Sequence, residues 1–571
     1  MQDFVDYSME SLGDSGQHIW DDYEPSKNFF VSDKIFVHFL QKELSPDAWS
    51  FLQPKLVKLG KLAASTLNEL SISAHMHSPK FVKRDLFGRD IDNIIFHPSR
   101  HELMKAANQT RMMGSSAITF LSPEFEGQQY RMGYALPYIL ALSDSSVTNI
   151  IGMKDAFGQI MKRYANPELQ AKFIENDYLL GPENASEVCF CFRENAAGLK
   201  FDAISTKAIP LRDGVYKISG EKSHCENIHA HLKLVLAAVP SENNEKPKLS
   251  IFLIEGNNKP GVSKEFEIKN LDQKLGMHSL PVGDLLFKDC TAFLLGEEGQ
   301  GMEILEELMK VTNIWSSISA VAGFRRSLVE AYQYACYQTY DGNRRLLDHP
   351  STLAKLEALN NQFVADFYLL WKTIRMMDKT GPEKPHLESN LNHLIPLIKN
   401  HCVNSAISGI GQSMKIMESH GYMEQGVIPK FIKDCLALPL LHQSSIHTVS
   451  VIVKNWAEVQ DISSFFEPLT SSLEHFPDLE LLKVELKKLL SHIEESRYDD
   501  PDFLDFNADK IMKNLIMYIQ LSMLLHQEDH ESAAWIHPAI NQIKANFLGQ
   551  NSLLALPVGA QKIIGQLAWG F

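Results

Sequence analysis

Apolar residues recur at helical spacing from Ser32 to about Tyr178, as in FLQPKLVKLGKLAASTLNEL over 51–70, which predicts a helical N-terminal region. A short extended piece, RDLFGRDIDNIIFHP over 84–98, interrupts it. From about Glu187 to Asp289 the period changes. VCFCF, KAIPLRDGVYKISGEK, LKLVLAAV, KLSIFLIE and GDLLFKDC are short and β-rich, with turn signals such as Arg212-Asp213-Gly214 between them. They predict a compact antiparallel β-domain. From Gly301 to about Val453 long helical patterns return, and the first of them keeps one apolar face for many turns. SSFFEPLTSS (463–472) reads as a linker, and LELLKVELKKLLSHIEES and ADKIMKNLIMYIQLSMLL carry a last helical segment. The expected organisation is α+β: a flexible arm over 1–30, helices over 31–180, a β-domain over 181–290, helices over 291–460 and additional helices over 461–571.

The 571 residues, 44% hydrophobic and 22% charged, can bury large cores without metals or disulfides. The net charge of −15 argues against general nucleic-acid binding, and over 451–571 nine basic side chains face seventeen acidic ones. No apolar run is long enough to span a membrane, and the acidic N-terminus lacks a secretory pattern. Seven scattered cysteines read as reduced thiols, so the expected localisation is cytoplasmic. Cys189, Cys191, His224, Cys225, His229 and His231 cluster in sequence, but no C-x-x-C pair accompanies them. No metal site is assigned, and the default reading is buried thiols and surface histidines. Gly296-Glu297-Glu298-Gly299-Gln300-Gly301 fits neither dinucleotide nor P-loop spacing and reads as a connecting loop. His75-Met76-His77 reads as loop or surface.

Three motifs carry a resemblance. KLGMHSLPVGDLLFKDCTAFLLGEEGQG over 274–301 resembles the segment that ends the β-domain and opens the bundle in the acyl-CoA dehydrogenase family. RDLFGRDIDNIIFHPSRHELM over 84–104 resembles the N-terminal signature of the AidB-like, alkylation-response branch. His420-Gly421-Tyr422-Met423-Glu424, with Pro429 following, is similar to that branch's G-Y segment. The resemblance implies an N-terminal helical domain, a central antiparallel, barrel-like β-domain, a C-terminal four-helix bundle and an extra helical domain. It further implies a homotetramer, or at least a dimer, and an oxidoreductase that holds FAD beside an acyl-CoA or other acyl thioester. The chemistry removes the proton α to the thioester carbonyl and passes the β-hydride to the flavin.

Compared with that pattern, the site positions are substituted. The family Glu falls on His442, or on Gln443 if the register shifts by one, and the following hydroxyl on Ser444. Histidine can take a proton near neutral pH, whereas glutamine cannot act as a base. The alternative base position, Thr312-Asn313-Ile314-Trp315, has no carboxylate. The flavin-contact positions become Phe192, Gly198, His224 and Glu226, with Lys222 retained and Gly421 in the G-Y pair. The arginine that reaches a neighbouring subunit's dinucleotide becomes Thr339, with Arg344 and Arg345 nearby but out of register. Losing several charge-assisted hydrogen bonds predicts impaired FAD binding. The expected function is a degenerate acyl-CoA dehydrogenase-like protein serving as an acyl-thioester-binding or interaction scaffold. The alternative is an active FAD-dependent acyl-CoA dehydrogenase with a rebuilt site and His442 as base, and association with DNA ranks third.

Overall fold

A computed structural model describes residues 27–175, 186–195, 204–240, 247–256, 265–340, 342, 344–380, 385–441, 480–499, 501–525 and 529–547. The linker expected at 463–472, most of the arm, and Gly198, His442, Gln443 and Ser444 lie outside them. Two residues of the expected arm are packed. Phe29 and Phe30 are buried, and the Phe29 amide donates to the Gly60 carbonyl.

Among the described residues the N-terminal part is built on α1 (Lys34–Glu43), α2 (Pro46–Ala63), α3 (Thr66–Met76), α4 (Pro98–Gln109), α5 (Ser115–Leu121), α6 (Gln129–Ala141) and α7 (Ser145–Tyr164), with a short helical turn at Pro167–Gln170 after them. Their starts follow local chemistry. Asp33, Ser45 and Asp144 each accept a backbone N–H of the first turn, and Pro46 stands where a helix needs no N–H donor. Between α3 and α4 the extended piece forms a hairpin of β1 (Lys80–Arg84) and β2 (Asp90–Ile95). The reading of His75-Met76-His77 as loop or surface holds for the exposed Met76 and His77 but is corrected for His75. His75 and Met76 end α3, and the buried His75 ring stacks on His278, centroids 4.5 Å apart.

That stack has a pH consequence. Burial, with Lys430 and His278 close by, pushes His75 down to about 4 against the opposing pull of Asp434. Its folded value lies below the unfolded one, so the unfolded chain binds the extra proton. Stability should therefore fall as pH drops from about 6.5 towards 4, by at most about 1.4 kcal/mol per pH unit from this group. Urea midpoints measured across that range should flatten in His75→Phe.

Seven strands follow: β3 (Val188–Cys191), β4 (Lys207–Arg212), β5 (Val215–Glu226), β6 (Leu232–Val239), β7 (Lys248–Glu255), β8 (Phe266–Leu271) and β9 (Val282–Leu295). They form one sheet in the order β3-β5-β4-β6-β7-β9-β8, and the extra pairings β3–β6 and β5–β9 curl it upon itself. Two pairings depart from the antiparallel expectation: β3 runs parallel to β6 over four residues, and β4 meets β6 in parallel at Lys207 and Ala238. Parallel neighbours need a long connection, and the β4–β5 hairpin supplies it. Cys189, Cys191, Cys225, Ile218, Val235 and Phe252 lie in a separate core inside this sheet.

The bundle holds α8 (Gly301–Tyr337), α9 (Pro350–Met377), α10 (Pro385–Ile416) and the shorter α11 (Val427–Ala437). The sequence suggests one apolar face for α8, but the helix is buried almost all round from Ile304 to Ala335. Helices α6, α7, α9, α10 and α11 and strand β7 all pack against it, the condition of a core helix. Beyond lie α12 (Glu480–Asp499), α13 (Pro501–Leu525) and α14 (Ala533–Phe547). The last pair lies on α9, where Trp535 Nε1 donates to the Tyr368 hydroxyl at 3.1 Å. Among the described residues no helix is long and apolar enough to cross a membrane.

Candidate functional site

The strand ends and the bundle meet at a polar seam. β3 and β5 pair through Phe190 and Glu226, so Phe192 and Arg193 lie beside Ser223, whose amide donates to the Arg193 carbonyl. Arg193 Nη2 reaches across to the Leu440 carbonyl at 3.2 Å, and Lys399 Nζ on α10 donates to the Leu441 carbonyl at 3.0 Å. Leu441 directly precedes His442. Glu226 is 8% exposed and sits within electrostatic reach of Lys399. Burial pushes the Lys399 ammonium down to about 8, with Glu226 pulling up and Arg193 pushing down. Phe192 is buried with its ring 5.2 Å from Phe190.

His224 does not join this group. Regular alternation would put it on the Glu226 face, but the β5–β9 register slips between Lys222 and Cys225 and His224 has a φ of 48°. Its ring turns outward to Asp272, Nδ1 to Oδ2 2.9 Å, and its amide donates to Asp284. Lys222 points the other way. It is fully buried and pairs with Glu194 at 2.7 Å, and Glu194 also accepts from Ser205 and Thr206. Sequence reading retained Lys222 but missed its partner. A lysine within a β-rich stretch was the signal, because a cation that such a strand buries needs a counter-ion.

The K-L-G motif has a docking role. Lys274 Nζ donates to the carbonyls of Met277 and Leu280 at 2.6 Å each, and burial pushes it down to about 8. The loop then lies flat on α11. A Cβ on Gly276 would fall 2.4 Å from the Lys433 carbonyl oxygen, and the Met277 amide donates to Asp434 at 2.6 Å. The motif therefore fixes the exit of the β-domain to the bundle.

Thr339 is exposed, on a two-residue strand that pairs with Arg344–Arg345. Arg345 is taken by Asp348 at 2.9 Å. Beside this hairpin a cavity of about 730 Å³ is lined by Leu346, Thr352, Lys355, Gln412, Lys415 and Glu418, among others. Gly421 closes a short turn after α10, where a Cβ would fall 2.5 Å from the Met414 carbonyl oxygen. The stretch Thr312–Trp315 is buried in α8. Trp315 Nε1 donates to Asp155 at 3.0 Å, and this hidden carboxylate also accepts from the Ser116 amide and hydroxyl. The Cys189 and Cys191 sulfurs lie 3.3 Å apart inside the sheet. Among the described residues no group of His, Cys, Asp and Glu is placed to hold a metal.

Helices, a curled sheet docked through a K-L-G loop, and a helical bundle are matched piece by piece by known sequence families. Residues 24–176 match the adaptive response protein AidB N-terminal domain, 189–290 the acyl-CoA dehydrogenase middle domain, and 299–442 the acyl-CoA dehydrogenase C-terminal domain. The chain belongs to the acyl-CoA dehydrogenase family. It is 22% identical to the putative acyl-CoA dehydrogenase AidB of Escherichia coli over 72% of this chain and 74% of that one. Within the family it is an AidB-like member. The fold agrees with solved structures. Caenorhabditis elegans ACDH-11 in complex with C11-CoA superposes with a TM-score of 0.81 at 16% identity, over 95% of this chain and 94% of that one. An acyl-CoA dehydrogenase complexed with FAD from Bacillus anthracis gives 0.70 at 13% identity, over 95% and 99%.

Proposed function

We propose that this chain is a family member that binds an acyl thioester as a scaffold after its flavin-ring contacts have been replaced. The observation that carries this reading is the seam at the strand ends. Where the family offers hydroxyl groups to a flavin ring, this chain places the apolar Phe192 and the carboxylate of Glu226 opposite Lys399, with Arg193 reaching across to Leu440. A carboxylate there disfavours an anionic reduced flavin. These described residues do not fit an isoalloxazine ring, so no redox step is derived through it. What the chain's own groups can do is bind. Lys399 gives one N–H to Leu441; its others are placed to hold a thioester carbonyl as it enters the seam, and Glu226 keeps the ammonium charged. The assembly is a homo-oligomer, tetramer or dimer, located in the cytoplasm. The acidic last segment disfavours DNA as its partner.

A second reading, an active FAD-dependent dehydrogenase with His442 as base, is favoured by one observation. The cavity beside the Thr339–Arg345 hairpin keeps Lys355 and Lys415, cations suited to a dinucleotide. One preparation decides between them. The purified chain, incubated with excess FAD and desalted, should stay colourless while still binding a medium-chain acyl-CoA by calorimetry. A retained flavin spectrum that acyl-CoA bleaches would establish the second reading instead, and a chain that binds neither would remove both.

A further inference from the structure

The appended helices meet the bundle around one buried acid. Asp366 on α9 is 1% exposed and accepts from Gln362 at 2.9 Å, from Ser405 on α10 at 2.5 Å and from Gln520 on α13 at 2.8 Å, and His401 Nε2 lies 2.7 Å away. Three donors and the His401 ring turned onto one carboxylate hold α9, α10 and α13 in register. A cavity of about 410 Å³ opens beside this hub, within the roughly 300–1,000 Å³ range of small-molecule sites.

Its lining is sorted by chemistry. Phe324, Leu359 and Met512 give it an apolar floor. Phe324 lies flat on α10 only because residue 409 is glycine, where a Cβ would fall 2.2 Å from the ring. Asn546 of α14 and Lys513 of α13 stand on the wall contributed by the appended helices. Among the described residues no Asp or Glu lines the cavity, although the chain carries 70 of them. Asp366, which touches the lining residues Gln362, His401 and Ser405, is already engaged by them and by Gln520. Lys513 makes no ion pair among the described residues. A cation over an apolar floor with no competing anion selects a ligand with one negative charge and a hydrocarbon body. The single ammonium and planar amides suit a carboxylate better than a multiply charged phosphate.

We propose that this cavity binds a medium-chain organic carboxylate, with Lys513 and the Asn546 amide taking its head and Phe324, Leu359 and Met512 taking its chain. The site lies between the bundle and the appended helices, apart from the seam at Lys399, and does not depend on the thioester reading. Octanoate is the probe, titrated into the full chain by calorimetry and thermal shift. Saturable one-to-one binding that raises the Tm is expected. Lys513→Gln should weaken it at least tenfold, and octan-1-ol should bind at least tenfold more weakly than octanoate. Ala358, an exposed residue on the cavity rim, offers a plug: Ala358→Trp should abolish binding with the circular dichroism spectrum unchanged. No saturable binding by the unaltered chain overturns the proposal. So does binding that survives Ala358→Trp, which would place octanoate elsewhere, or equal binding of the alcohol, which would remove the role of the charge.

Discussion

Glu194→Ala should cost about 3–5 kcal/mol of folding stability, because it leaves the ammonium of Lys222 buried and unpaired. The side chains are 3% and 0% exposed, so water cannot take over the lost contact. Ser205 and Thr206 would lose their acceptor in the same step. Urea denaturation of the single and double variants tests this. Adding Lys222→Met to Glu194→Ala should return part of the loss, since removing both partners of a buried pair is far less damaging than removing one. A Glu194→Ala protein as stable as the parent would show that the pair contributes nothing. Burial works to raise the Glu194 carboxyl, but Lys222 and the two hydroxyls hold it down at about 2. The depressed value makes its contribution present above about 4.5 and lost as pH falls from there towards 2.

Trp315→Ala should cost a similar amount, about 3–5 kcal/mol, through the cavity left in the middle of α8. The indole lies against Gly152 of α7, where a Cβ would fall 2.6 Å from the ring, so the two helices approach along a glycine. Trp315→Phe separates volume from hydrogen bonding. It keeps most of the packing but takes one donor from the buried Asp155, for about 1–3 kcal/mol. Thermal unfolding of both variants should therefore rank parent, Phe and Ala in that order. Equal loss for Phe and Ala would mean that the hydrogen bond, and not the filled space, holds α7 to α8.

The order of helices, sheet and helices was legible because hydrophobic period is a local property, and Lys274–Gly301 was legible because its docking role restricts several residues at once. What sequence reading missed depends on contacts between distant residues. Glu194 and Lys222 meet across two strands, and nothing in either segment alone announces the other. The outward turn of His224 comes from a register slip against β9, which strand alternation cannot anticipate. The parallel run of β3 beside β6 is likewise set by a connection and not by either strand's composition. His75 looked exposed because nothing in its own segment pairs with it, while the His278 ring that covers it comes from the loop between β8 and β9. At the candidate site the substitutions themselves were readable, but not the approach of Arg193 to Leu440 or of Lys399 to Leu441.

Asp529, just before the final helix, clasps Lys42 of α1 at 2.7 Å and lies 3.2 Å from the His38 ring, which also meets Trp535 edge-on. The first and last described helices therefore fasten to each other like the two ends of a buckled strap. Strain on the appended helices passes into α1 and from there into the aromatic cluster of Phe36, Phe39 and Trp371 beneath it, so these described helices should melt together.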